Sequence, residues 1–120
     1  MEKILVINPG STSTKIAVYE DDRQLFVNSI EHADEEIEKY DAIYDQYEFR
    51  KKLVLEELEK NGVKASELTC VMSRGGLLPP VPAGAIRVNQ DMCDQLRLHP
   101  VNEHASNLGA PIAFSIAEEN

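Results

Sequence analysis

The residues with the clearest chemical potential lie near the start of the chain, in Asn8-Pro9-Gly10-Ser11-Thr12-Ser13-Thr14-Lys15. Gly and Pro make a bend, and four successive hydroxyl side chains supply donors. The backbone N–H groups that a bend leaves unpaired form a concave nest suited to an anion. Lys15, just past the bend, adds a compact positive charge. The Gly-x-x-x-x-Gly-Lys-Ser/Thr spacing of a Walker loop is absent, as is the dinucleotide fingerprint, and a strand rather than a helix follows. Phosphate would therefore be held by a β-hairpin. On composition alone the competing reading is an ordinary hairpin turn, which is what most Gly/Ser/Thr turns are.

Two further groups could contribute. Arg74-Gly75-Gly76 ends a candidate strand. Ligands in open α/β sheets collect at strand carboxyl ends, and the Arg fork suits a carboxylate or phosphate. The glycines permit close backbone approach. The competing reading is a strand-end turn with a surface Arg. Glu103-His104-Ala105-Ser106-Asn107 opens a helix, where His104 could meet an anionic ligand or face solvent beside a cap at Asn102. The histidines and the two cysteines have no metal-ligand spacing, so no zinc site is expected.

Positioning these groups requires a sheet. Ile4 to Ile7 is a continuous apolar run that predicts a strand buried on both faces. Ile16-Ala17-Val18 starts a second strand, Glu20-Asp21-Asp22 reads as a turn, and Gln24 to Ile30 forms a third. Short links predict an antiparallel three-stranded meander. One helical turn is expected at Ala33 to Glu38. The strongest helix runs from Ala42 to Asn61, with Asp41 as its cap, Gly62 beyond its end, and Ile43, Tyr47, Val54 and Leu58 as an apolar stripe interrupted at Arg50. Lys51, Lys52, Glu56, Glu57, Glu59 and Lys60 read as its solvated face.

Ala65 to Leu68 reads as a turn, and Thr69 to Ser73 as a strand parallel to the first, because a helix long enough for a crossover precedes it. Leu77 to Ala85 is a Pro-rich extended loop, and Ala85 to Val88 a candidate short strand. Asn89 caps a helix through Leu96, with Met92 and Leu96 inward. Leu108, Ile112 and Ile116 recur every four residues in a last helix from Glu103 to Ala117, which Pro111 should kink.

The whole-chain balance restricts the partners. The 120 residues make one domain or part of one, long enough to bury a core. A net charge of −9 argues against general affinity for nucleic acid or anionic membrane. The acids are uneven: Glu31 to Glu48 holds eight carboxylates and Ile4 to Val18 none, so an anion site is compatible with an acidic chain. Two cysteines, Cys70 and Cys93, make no disulfide framework, and no signal peptide or membrane-spanning run is present, so a cytoplasmic location is expected.

Three segments taken together carry a resemblance. Ile7-Asn8-Pro9-Gly10-Ser11-Thr12-Ser13-Thr14-Lys15, Ser73-Arg74-Gly75-Gly76-Leu77-Leu78 and Glu103-His104-Ala105-Ser106-Asn107-Leu108-Gly109-Ala110 occur in the order seen in the acetate and butyrate kinases. Pro9, Thr12 and Thr14 resemble the butyrate kinase form of the first segment. The resemblance implies an α/β, ribonuclease H-like lobe of the actin and sugar kinase superfamily: a mixed sheet, the meander plus a parallel strand, flanked by helices. It implies phosphoryl transfer between ATP and a small carboxylate such as butyrate, with Mg²⁺. It places Asn8 near the metal and the transferring phosphate as a catalytic group, and Gly10, Ser11, Ser13 and Lys15 around ATP phosphates. Arg74 would be catalytic and hold the carboxylate or acyl phosphate, with Gly75 and His104 near the substrate. Phosphoryl transfer fits such groups, since it asks for positioning and positive charge.

The sequence departs from the family pattern at Asn102, where Gly is expected, and at Pro111, where an ordinary helix former is expected. Both bear on the course of the last helix and hence on His104. The family has two lobes with ATP between them. Residues 1–120 are expected to supply only the N-terminal lobe, as a fragment inactive alone and weak in binding ATP. A homo-oligomer of the full-length protein is compatible with this reading. The competing functions are an acetate or propionate kinase, a non-catalytic ATP-binding module of the chaperone or actin type, and a short structural domain without a ligand. A carboxylate-binding Arg disfavours the chaperone reading.

Overall fold

The computed structural model describes residues 2–40, 43–74, 87–98 and 104–119. Its centre is a four-stranded sheet of order β3-β2-β1-β4, with β1 at Lys3–Pro9, β2 at Ser13–Glu20, β3 at Arg23–Glu31 and β4 at Cys70–Ser73. β1 and β2 are antiparallel, as are β2 and β3, while β4 runs parallel to β1. The expected mixed sheet is present. Its second strand starts three residues earlier than the apolar run suggests, because Thr14 and Lys15 pair with both β1 and β3, and Ser13 pairs with β3.

The helices are α1 at Asp34–Glu38, α2 at Tyr47–Lys60, α3 at Gln90–Leu98 and α4 at Gly109–Glu119. Short 3-10 turns occupy Ile43–Gln46, Ala65–Glu67 and Ala105–Leu108. Asp41, Gly75, Gly76, Asn102, the Leu77 to Ala85 loop and the first half of the candidate Ala85 to Val88 strand lie outside the described residues, and Arg87 and Val88 are not in a strand.

One face of the sheet carries the core. Leu5 and Ile7 of β1 and Ile16 and Val18 of β2 pack against Val54 and Leu58 of α2 and Leu108, Ile112 and Ile116 of the C-terminal segment. Each such side chain contributes about 1.5–3 kcal/mol on burial. Ile4 and Val6 point the other way and are only half-buried. The expectation of a first strand buried on both faces is therefore corrected: β1 alternates, since α2 and α4 cover the same face.

α2 ends at a glycine that is required there. Gly62 has φ +75°, and Val63 N–H reaches back to the Leu58 carbonyl at 3.0 Å in a Schellman closure. Two residues assigned to the solvated face of α2 instead make tertiary contacts. Glu57 accepts from Asn28 Nδ2 of β3 at 2.9 Å, and Lys51 pairs with Glu119 at 2.6 Å, tying α2 to the end of α4.

Pro111 makes no kink. The last segment is a 3-10 turn followed by a separate α-helix, and Pro111 is the third residue of that helix. A first-turn N–H has no intrahelical acceptor, so its absence costs nothing there. Asn89 caps α3 as expected, accepting from Met92 N–H at 2.9 Å, and Leu96 is buried while Met92 is half-buried.

Candidate functional site

The first turn lies between β1 and β2, closed by Gly10 N–H donating to the Ser13 carbonyl at 2.7 Å. Gly10 does not occupy a left-handed conformation, and a Cβ there would sit at an ordinary 3.4 Å from Ser13. Its value is as backbone. Ser11 and Thr12 are exposed at the tip, and Ser13 is half-buried.

Strand register organises the rest. Asn8 is the partner of Lys15, and Lys15 is the partner of Ser29. Asn8 and Lys15 are both exposed, on the face opposite the buried Ile7 and Ile16. Ile7 is paired with Ser73, and Arg74 N–H donates to the Ile7 carbonyl at 3.0 Å. Arg74 thus follows β4 directly beside Asn8. The sheet therefore gathers Asn8, Lys15 and Arg74 at the carboxyl end of its parallel pair, with the Gly10–Ser13 turn adjoining.

Gly109 explains how the C-terminal segment meets this end. A Cβ on it would lie 2.9 Å from the Arg74 carbonyl and 3.1 Å from Ser73 Cβ and Oγ. Only glycine lets the start of α4 come this close to the end of β4. His104 precedes that helix as the cap of the 3-10 turn, which packs on β1. Its Nδ1 accepts from Ser106 N–H at 3.0 Å and lies 2.8 Å from Ser106 Oγ. Nδ1 as acceptor leaves the proton of the neutral ring on Nε2. The cap is thus His104 itself. Gly75 lies outside the described residues.

Sequence reasoning missed the interior support of the turn. Arg50 of α2 is fully buried. Its NH1 donates to the carbonyls of Gly10 at 2.6 Å and Ser13 at 3.1 Å and to Thr14 Oγ1 at 3.3 Å. NH2 donates to the Ser11 carbonyl at 3.2 Å, and Nε to Gln46 Oε1 at 3.0 Å. The interruption in the apolar stripe is a buried cation. Position 50 lies on the same helix face as Tyr47, Val54 and Leu58, and that spacing was the available signal. Burial lowers the Arg50 pKa to about 10.

Thr14 links Arg50 to a second buried group. Its hydroxyl lies 2.8 Å from His32 Nε2, and among the described residues His32 Nδ1 has no partner. Burial and then the Arg50 charge push the His32 pKa down, against an opposing pull from Glu31. His32 also packs against Phe49, with ring centroids 5.1 Å apart.

The donor set restricts metal chemistry. No group of three or more His, Cys, Asp or Glu able to hold a metal occurs among the described residues. Asn8 offers one neutral oxygen, which suits a Mg²⁺ whose other ligands are phosphate oxygens and water. No helix among the described residues is long and apolar enough to cross a membrane.

Comparison with known proteins gives consistent similarity. The chain is 47% identical over 119 residues to butyrate kinase 1 of Clostridium acetobutylicum, covering 99% of this chain and 34% of that protein. It is 53% identical over 115 residues to a probable butyrate kinase of Bacteroides thetaiotaomicron, covering 96% of this chain and 32% of the relative. A probable butyrate kinase of Clostridium botulinum is 46% identical over 117 residues, 98% of this chain and 33% of its own length. The chain spans about a third of the length of the curated relatives it matches. No family model matches it.

Proposed function

Starting from a chain that is a relative of the butyrate kinases, we propose that it is the N-terminal, ribonuclease H-like lobe of a two-lobed carboxylate kinase. The reaction of the full-length protein is ATP plus butanoate giving ADP and butanoyl phosphate. One observation within the fold carries this reading: Asn8, Lys15 and Arg74 converge at the carboxyl end of β1 and β4, beside a turn rich in N–H and hydroxyl donors. No carboxylate intervenes between Ile4 and Val18 to repel an anion.

In this reading the guanidinium of Arg74, with Gly75 and His104 nearby, holds the substrate carboxylate as a planar fork. A carboxylate oxygen forms a bond to the γ-phosphorus while the bond to the β,γ-bridging oxygen breaks, and ADP leaves. Ser11 and Ser13 donate to phosphoryl oxygens, Gly10 closes the turn that presents them at the ATP phosphates, and Lys15 offsets the phosphate charge. Asn8 holds Mg²⁺ carried with ATP, and that ion supplies charge neutralisation at the phosphates. The protein's contribution is alignment and electrostatics, without a covalent relay. His104 donates from Nε2 toward the cleft. The second lobe supplies the adenosine contacts, and the enzyme works in the cytoplasm.

The test is acyl hydroxamate formation by the full-length protein with ATP, Mg²⁺ and unbranched carboxylates of increasing length. Butyrate is expected to give the highest turnover, and the 120-residue chain alone none. Greatest turnover on acetate or propionate would replace the substrate assignment. ADP release independent of any carboxylate would replace the kinase reading with a chaperone-type module.

A further inference from the structure

Arg50 is charged, fully buried and directed at the turn from the core side. Its five hydrogen bonds all end on neutral acceptors, three of them the carbonyls of Gly10, Ser11 and Ser13. An ordinary turn leaves its carbonyls in water, where they need no such support. A guanidinium buried for structure alone is costly unless its charge is matched. Among the described residues no matching charge enters its hydrogen-bond shell, and burial lowers its pKa.

The peptide geometry supplies the connection. In a planar trans peptide the C=O of one residue and the N–H of the next point in opposite directions. Carbonyls of Gly10 and Ser11 drawn inward to Arg50 therefore turn the N–H groups of Ser11 and Thr12 outward. Among the described residues neither N–H has an acceptor in the protein. Both belong to the exposed tip, next to Lys15.

We propose that Arg50 is a positioning residue for phosphate: by bracketing three turn carbonyls from the core, it holds the Ser11 and Thr12 N–H groups as outward donors to a phosphoryl oxygen. The bound anion then supplies the counter-charge that the interior lacks. The proposal rests on the phosphate-binding reading given above. It adds a residue that never touches the ligand, and it distinguishes fork from charge. Lys at position 50 keeps the charge but presents one compact donor group where Arg spans three carbonyls and a hydroxyl.

The experiment is an amide NMR titration of the 120-residue chain with pyrophosphate, run on the native protein, Arg50→Lys and Arg50→Gln, beside thermal melts of each. The native chain is expected to show saturable shifts at Ser11 and Thr12, with a phosphorus coupling across the hydrogen bond to those two nitrogens. Arg50→Gln should raise the pyrophosphate Kd about tenfold or more, the equivalent of losing a hydrogen bond to a charged group. Arg50→Lys should recover only part of that. A purely structural Arg50 would lower the melting temperature yet leave the Kd of the folded protein unchanged. A Kd within twofold of native in folded Arg50→Gln overturns the proposal while leaving phosphate binding intact. The native chain keeps the test decisive if both variants fail to fold, because pyrophosphate bound without coupling to Ser11 or Thr12 also overturns it. No saturable pyrophosphate binding by the native chain overturns both the proposal and the phosphate reading.

Discussion

Replacing Gly109 by Ala sets two effects of opposite sign against each other. Gly109 is the first residue of α4 and has an ordinary helical φ of −58°. On propensity alone Ala should stabilise a helix by up to about 1 kcal/mol. The new Cβ, however, would lie 2.9 Å from the Arg74 carbonyl oxygen, against about 3.5 Å for a relaxed contact. It would also lie 3.1 Å from Ser73 Cβ and Oγ. Backbone of β4 and backbone of α4 must separate, since no flexible side-chain end can yield at the carbonyl. Overpacking of this kind costs about 1–3 kcal/mol. The balance is a net loss of up to about 2 kcal/mol, or up to roughly 10 °C in melting temperature for a domain of this size. Thermal and urea denaturation followed by circular dichroism measure it directly. Ala117→Gly, exposed on the same helix, reports the propensity contribution in the opposite direction. A Gly109→Ala protein melting above the native temperature would refute the close approach, and with it the route by which α4 fixes the Arg74 backbone.

Two predictions concern other parts of the chain. The His32 pKa is held below its ordinary value of about 6.5, so the unfolded chain takes up this proton first; stability is complete above that value and falls as pH drops through it toward the lower folded value, by no more than about 1.4 kcal/mol per pH unit. His32→Gln should flatten the denaturation midpoint between pH 7 and 5, and parallel native and mutant profiles would remove His32 as the source. Asn89→Ala removes the acceptor for Met92 N–H and should cost about 1 kcal/mol, read as faster amide exchange in the first turn of α3; unchanged exchange there would show that the cap contributes nothing.

The parts of the fold legible in sequence are those fixed by neighbours along the chain. The meander follows from short apolar runs joined at Gly10 and at Asp21-Asp22, and Asp21 adopts the positive φ of 55° that such a turn tolerates. Asn89 and Gly62 are readable for the same reason, since caps are local. Pro111 was misleading because its effect depends on where the helix begins, and a 3-10 turn before Gly109 shifts that start. Arg50 was opaque for a different reason. A charged residue within an apolar stripe looks like a defect until its acceptors, some forty residues earlier, are known. Asn8, Lys15 and Arg74 were separately suspicious, but only register brings them to one end of the sheet.

The bracket between Arg50 and the first turn has a consequence for the order of assembly. Its bonds join residues 36 to 40 apart, whereas β1 and β2 are separated by three residues. A hairpin closes in about 1–10 μs, and contacts across longer loops form later. The turn therefore exists before its carbonyls are gathered, and it acquires its final amide arrangement only when α2 docks. On the ribosome, a nascent chain emerged as far as β3 holds the strands of the turn but not the residue that shapes it. Under the proposed phosphate reading, anion recognition is a late-arriving property, coupled to helix docking rather than to the strands that carry the recognising groups.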